Sequence, residues 1–129
     1  GSNDKISIFT PEKAHEVTLD NEAHKITIKD KDNNAAIEMS TMTGKIEIQA
    51  ANKLEIKVGS TITVTLNGTT GGINVRASNI TMESIGKMNL KGGGNATLTG
   101  ATVSVDAQAN LKMNSAGMVK VAGNVIQLG

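Results

Sequence analysis

Apolar residues in this chain come in short pairs, each split by one residue, and the pairs recur from end to end. From Ile73 the beat is close to fixed: Ile73/Val75, Ile80/Met82, Met88/Leu90, Ala96/Leu98, Val103/Val105, Leu111/Met113, Val119/Val121 and Ile126/Leu128. The first members lie 7, 8, 8, 7, 8, 8 and 7 residues apart. Alternation within each pair is the period-2 mark of a strand with one buried face. A fixed repeat of such short strands predicts a stack that grows along one axis, not a globular core. The N-terminal third keeps a slower beat: Ile6/Ile8, Val17/Leu19, Ile26/Ile28, Ile37/Met39 and Ile46/Ile48 begin 11, 9, 11 and 9 residues apart. Its connectors, Asp20-Asn21-Glu22 and Asp30-Lys31-Asp32-Asn33-Asn34, predict longer strands joined by true turns. Leu54/Ile56/Val58 and Ile62/Val64/Leu66 offer three inward positions per strand, with a turn at Asn67-Gly68, and the octad spacing sets in after Gly71-Gly72. Thr, Asn and Gly recur too often for helix, apart from a brief turn within Pro11–His15.

The predicted fold class is all-β, and two architectures carry this rhythm. A single-chain β-solenoid would use three octads per coil, roughly 23 residues. An interwoven, trimeric triple-stranded β-helix (a β-prism) would take one octad from each chain per layer. Uniform spacing, no aromatic or Asn stack at every third octad and no amphipathic capping segment favour the prism. Its core would be formed by Ile80, Met82, Met88, Leu90, Val103, Val105, Leu111, Met113, Val119 and Val121. A lone chain would then have no completed core, and every strand would be an edge.

Composition narrows the picture. Phe9 is the only aromatic residue, so the interior must be narrow and filled by Val, Ile, Leu and Met. There is no cysteine, hence no disulfide framework and no thiol chemistry. A net charge of +1 argues against nucleic acid as a partner. Residues 3–75 carry 18 charged side chains against seven in 76–129, so the octad half is the plainer one. Gly1-Ser2 has the form of a cloning scar, and the chain is expected to be a fragment. The expected divisions are 1–2 as scar, 3–43 as an N-terminal β segment and 44–129 as regular triple-stranded β-helix with a tip.

Gly44-Lys45-Ile46-Glu47-Ile48-Gln49-Ala50, Asn52-Lys53-Leu54-Glu55-Ile56-Lys57 and Ser78-Asn79-Ile80-Thr81-Met82-Glu83 share one form, a turn-forming residue (Gly, Asn or Ser) followed by x-apolar-x-apolar. They resemble the C-terminal needle of VgrG proteins and of the central spikes of contractile phage tails. Lys25–Asp30 running into Ala36–Met39 resembles the stretch after the OB-fold collar of those proteins, and Gly123–Gly129 resembles their blunt tip. The resemblance implies a rigid homotrimeric, cell-puncturing spike, as in a type VI secretion system, an extracellular contractile particle or a phage tail. It would be assembled in the cytoplasm and act as a secreted apparatus or part of a virion tail, crossing a target membrane transiently. It also implies a PAAR-repeat cap on Val125, Ile126, Gln127, Leu128 and Gly129, and attachment to tube or baseplate through the collar and further domains before the needle. Glycines here fall irregularly, at 86, 100, 117 and 123 with a cluster at 92–94, where the most regular spikes keep a fixed position. The His-x-His iron motif of some short spikes has no counterpart, because His15 and His24 are both N-terminal. The alternative function is the shaft of a trimeric tail fibre or adhesin that binds surface glycans, which a single aromatic residue serves poorly.

Other motifs have plainer readings. Asp30-Lys31-Asp32-Asn33-Asn34 opens like a calcium loop, but Ala35 stands where Gly is needed and Thr41 where the bidentate Glu belongs. Gly68–Gly72 and Gly92–Asn95 lack the Gly-Lys-Ser/Thr and helix of a phosphate loop. His15 and His24 sit among charged residues as surface groups, and the Asn67, Asn79 and Asn95 sequons are expected by chance in so Thr-rich a chain. The methionines lack the His or Cys of a copper site. No nucleophile–base or two-carboxylate constellation is present, so no enzyme, cofactor or metal is expected.

Overall fold

The computed structural model describes residues 4–129, so the expected scar at Gly1-Ser2 lies outside the described residues. The described chain is all-β, with no α-helix. Five strands, β1 (Lys5–Phe9), β2 (His15–Asp20), β3 (Lys25–Asp30), β4 (Ala35–Ser40) and β5 (Lys45–Ala50), form one antiparallel meander in chain order. The strands β6 (Lys53–Val58), β7 (Ile62–Asn67) and β8 (Gly72–Arg76) form a second. The brief turn expected near Pro11 is a single 3-10 turn, Pro11–Lys13, with proline at its start.

The 11, 9, 11, 9 beat has a geometric cause. Strands β2 to β5 start at 15, 25, 35 and 45, a ten-residue pitch. Because chain direction reverses at each turn, the first apolar residue alternates between two rows. Ile6, Leu19, Ile26, Met39 and Ile46 are cross-strand neighbours in one row; Ile8, Val17, Ile28, Ile37 and Ile48 form the other. All ten lie on one face, and Ser7, Thr18, Thr27, Glu38 and Glu47 form the middle row of the opposite face. The second meander repeats the device: Leu54, Leu66 and Ile73 in one row, Ile56, Val64 and Val75 in the next, and Val58 opposite Ile62.

Turn chemistry sets the pitch. Asp20 Oδ1 accepts the Ala23 N–H at 2.8 Å, and Asp30 Oδ1 accepts the Ala35 N–H at 2.9 Å. Gly44 and Gly71 take φ of +68° and +69°, the left-handed region, where a side chain would be strained. The Asn67-Gly68 turn is present but longer than a two-residue hairpin loop. Asn67 Oδ1 accepts the N–H groups of Thr69 and Thr70 at 3.0 and 3.2 Å, and the chain reverses over 68–71.

Ile73/Val75, the first beat of the octad series, therefore belongs to an antiparallel strand, and in-chain ladders run on to Arg76. The 43/44 division expected from the sequence falls in the β4–β5 turn, inside one sheet. The chain divides into two compact units between Glu83 and Ser84. Beyond Arg76 the described chain joins no ladder, but it bends at 78, 85–86, 93–94, 101–102, 108–109, 116–117 and 124. Each bend begins five residues after the first member of an apolar pair, so the rhythm read from side chains is also written in the backbone.

Candidate interaction surface

Strand alternation places ten apolar side chains on one face of the first sheet and eight on one face of the second. Neither face is covered within its unit. No hydrophobic residue among those described is buried; the single buried residue is Thr18, at 5% exposure, on the polar face. Thr18 Oγ1 donates to Glu16 Oε1 at 2.6 Å and lies 3.2 Å from Ser7 Oγ. Sequence reasoning missed this residue, because nothing separates Thr18 from the other threonines except the long side chains that shelter it. On the apolar face, two shallow depressions follow the two rows. One, of about 610 Å³, is lined by Ile6, Leu19 and Ile26 with His24; the other, of about 410 Å³, by Ile8, Val17, Ile28 and Ile37 with His15 and Asp30.

The ten residues assigned to the prism core, from Ile80 to Val121, are 48–84% exposed in the single chain, and residues 78–129 are exposed throughout. Val125, Ile126, Gln127, Leu128 and Gly129 are exposed as well. Two local bonds shape this segment: Ser84 Oγ donates to the Lys87 carbonyl at 3.0 Å, and Ser115 Oγ accepts the Gly117 N–H at 3.1 Å. The whole chain exposes 11997 Å². A compact monomer of 13.4 kDa would expose roughly 6,500 Å². The excess of about 5,500 Å² per chain is several times the roughly 800 Å² that each partner gives to an interface of standard size, and many large apolar side chains are among the exposed residues.

Polar groups on the sheets are committed to one another. Lys25 Nζ lies 3.1 Å from Glu38, Lys45 Nζ 2.8 Å from Glu47, and Glu55 sits between Lys53 at 2.7 Å and Lys57 at 3.0 Å. Hydrogen bonds from Lys53 and Lys57 hold the Glu55 carboxyl below its usual range, and Lys45 does the same for Glu47. Exposed pairs of this kind add little stability. The Asp30 carboxylate closes its own turn: besides Ala35 N–H it accepts Asn34 Nδ2 at 3.2 Å. His15 Nδ1 lies 3.2 Å from Thr10 Oγ1, while His24 takes φ +53° in the β2–β3 turn and its carbonyl accepts the Thr41 N–H at 2.9 Å. The two imidazoles are thus placed near opposite ends of β2. Among the described residues no group of three or more His, Cys, Asp or Glu could hold a metal ion.

The turn aspartates give a pH signature. The backbone N–H of Ala23 lowers the pKa of Asp20, and that of Ala35 lowers that of Asp30, from 3.8. A depressed folded-state pKa stabilises the fold above the unfolded value, and this contribution is lost as pH falls through the folded one. The first meander is expected to lose stability below about pH 3.8, and Asp30→Asn to flatten that dependence, in denaturant melts followed by circular dichroism between pH 2 and 6. An unchanged slope in the variant would refute the assignment.

No protein-family model and no curated protein matches this chain, so what it does has to be argued from its own residues and surfaces.

Proposed function

We propose that the chain is one protomer of a homotrimeric β-needle, the membrane-puncturing spike of a contractile injection machine. The observation that carries this is the octad segment, which bends every seven or eight residues and pairs with nothing in its own chain. Three bends span 23 residues, for example from 78 to 101. A triangular path of that period would pair residue i with i+23 if successive turns lay one strand spacing apart, about 4.8 Å. Such pairing is absent from 77–129; a rise of about three strand spacings per turn, which would leave room for two further strands, accounts for that absence. Threefold copies fill that room evenly: each chain visits each face once per turn, and strands from the other two lie between. The apolar pairs then meet on a dry axis, and inter-chain ladders carry compressive load.

The resemblance of the octads to VgrG needles and phage central spikes supplies the machine. In it, Val125–Gly129 would seat a PAAR-repeat cap, the opposite end would attach to tube or baseplate, and the shaft would cross a target envelope. Function then resides in shape and stiffness, with no catalytic residue and no cofactor. Light scattering coupled to size-exclusion chromatography tests the assembly. Chains of 13.4 kDa should elute as a particle of about 40 kDa. A folded monomer would sink the proposal, and so would a dimer.

A further inference from the structure

The octad segment has a weakness that follows from its regularity. Val103/Val105, Leu111/Met113, Val119/Val121 and Ile126/Leu128 are close to interchangeable as inward pairs. A chain that advanced along its own path by one octad would still place apolar over apolar and polar over solvent, losing only a terminal layer. Repeats of this kind specify register poorly. The first meander differs in every respect that matters. Its ladders close within one chain through connections of four or five residues, so it can form before any partner arrives. Its apolar face is finite: two rows of five side chains, with the strand ends marked by His15 and Asp30 on one side. Two such faces shifted by one strand would leave the apolar pair of an end strand uncovered.

We propose that the apolar face of β1–β5 is a seat for the same face of two further copies, and that this seating fixes the register in which the octads of 77–129 interweave. The occupant is a copy of this chain because the chain exposes about 5,500 Å² more than a compact monomer of its mass, far beyond what a stable interface takes from one partner, and the exposed apolar residues of this face are part of that surface. This inference rests on the trimeric reading above and adds to it a division of labour: the meander aligns, the octads stiffen.

The test keeps the full chain. The protein has no cysteine, so Ser104→Cys provides a unique spin-label position at an outward octad site. Pulsed dipolar spectroscopy on the otherwise unchanged protein should give one narrow inter-label distance. Ile28 and Ile37 face each other across β3 and β4, and Ile28→Thr with Ile37→Thr removes apolar surface while keeping β-branched residues in both strands. Leu19→Thr with Ile26→Thr does the same for the other row. Either double variant should yield several distances, displaced by strand spacings of roughly 4.8 Å, or a dissociated chain whose circular dichroism remains β. Thr27→Ser with Lys29→Thr, on the opposite face of β3, should leave the single distance intact. If both apolar-face variants remain trimers with the one narrow distance, the inference is overturned. If the unmodified protein is itself a monomer by mass, the trimeric reading fails first, and the two failures are told apart.

Discussion

Val105→Asp is expected to abolish assembly, whereas Ser104→Asp beside it should leave assembly almost untouched. Position 105 is the second member of an inward pair and 104 the outward residue between its partners. In the proposed trimer three copies of residue 105 would meet at one level of the axis. Three aspartates there would be buried without a cation or a hydrogen-bond donor, at a cost of several kcal/mol each. No in-chain core exists to absorb the loss, since no described hydrophobic residue is buried before assembly. Light scattering should therefore show the Val105 variant as dissociated or aggregated and the Ser104 variant as the wild-type particle. Strand geometry makes this pair of substitutions a test of phase: a register wrong by one residue would exchange the two outcomes.

How far the sequence alone leads depends on what each pattern encodes. The strands were legible because apolar-x-apolar in a chain without helical periodicity admits little else. Thus Ile6/Ile8, Val17/Leu19 and the pairs after them fall inside β1 to β8 up to Val75. The direction of pairing was harder to see. Ile73/Val75 looks like every later pair, yet it lies in an antiparallel strand because Gly71, at φ +69°, turns the chain back beside β7. A pair of apolar residues states which face is inward and says nothing about which neighbour supplies the hydrogen bonds. The alternating 11 and 9 spacing did hold that information. An antiparallel meander of ten-residue pitch produces it directly, whereas a coil of one hand gives near-constant intervals such as those after Ile80. The candidate surface was legible only in part: periodicity picks out the ten octad residues as one alternating set, all exposed in the single chain, but the finite face of β1–β5 appears only once cross-strand register is known. Thr18 was not legible, because its shelter comes from neighbours such as Glu16, whose conformations the sequence does not fix.

Amide hydrogen exchange should divide the chain at Arg76, and the division should depend on assembly. Amides in β1 to β8 are held by ladders within the chain, while the described residues of 77–129 contribute no strand to any ladder. In a dissociated protein, such as Val105→Asp at low concentration, peptides from 80–129 should exchange at nearly the rate of unstructured chain. Peptides covering β2 to β4 should keep measurable protection, because their hairpins persist without partners. In the proposed trimer the octad amides would find acceptors on neighbouring chains, and their exchange should slow by orders of magnitude. Those on outward-facing surface positions are included, since protection follows the backbone bond and not the side chain. A single-chain solenoid gives the opposite result: it would protect 80–129 in the monomer, through pairing of residue i with i+23. Protection of that segment in a particle of 13.4 kDa would therefore remove the interwoven needle and restore the coil.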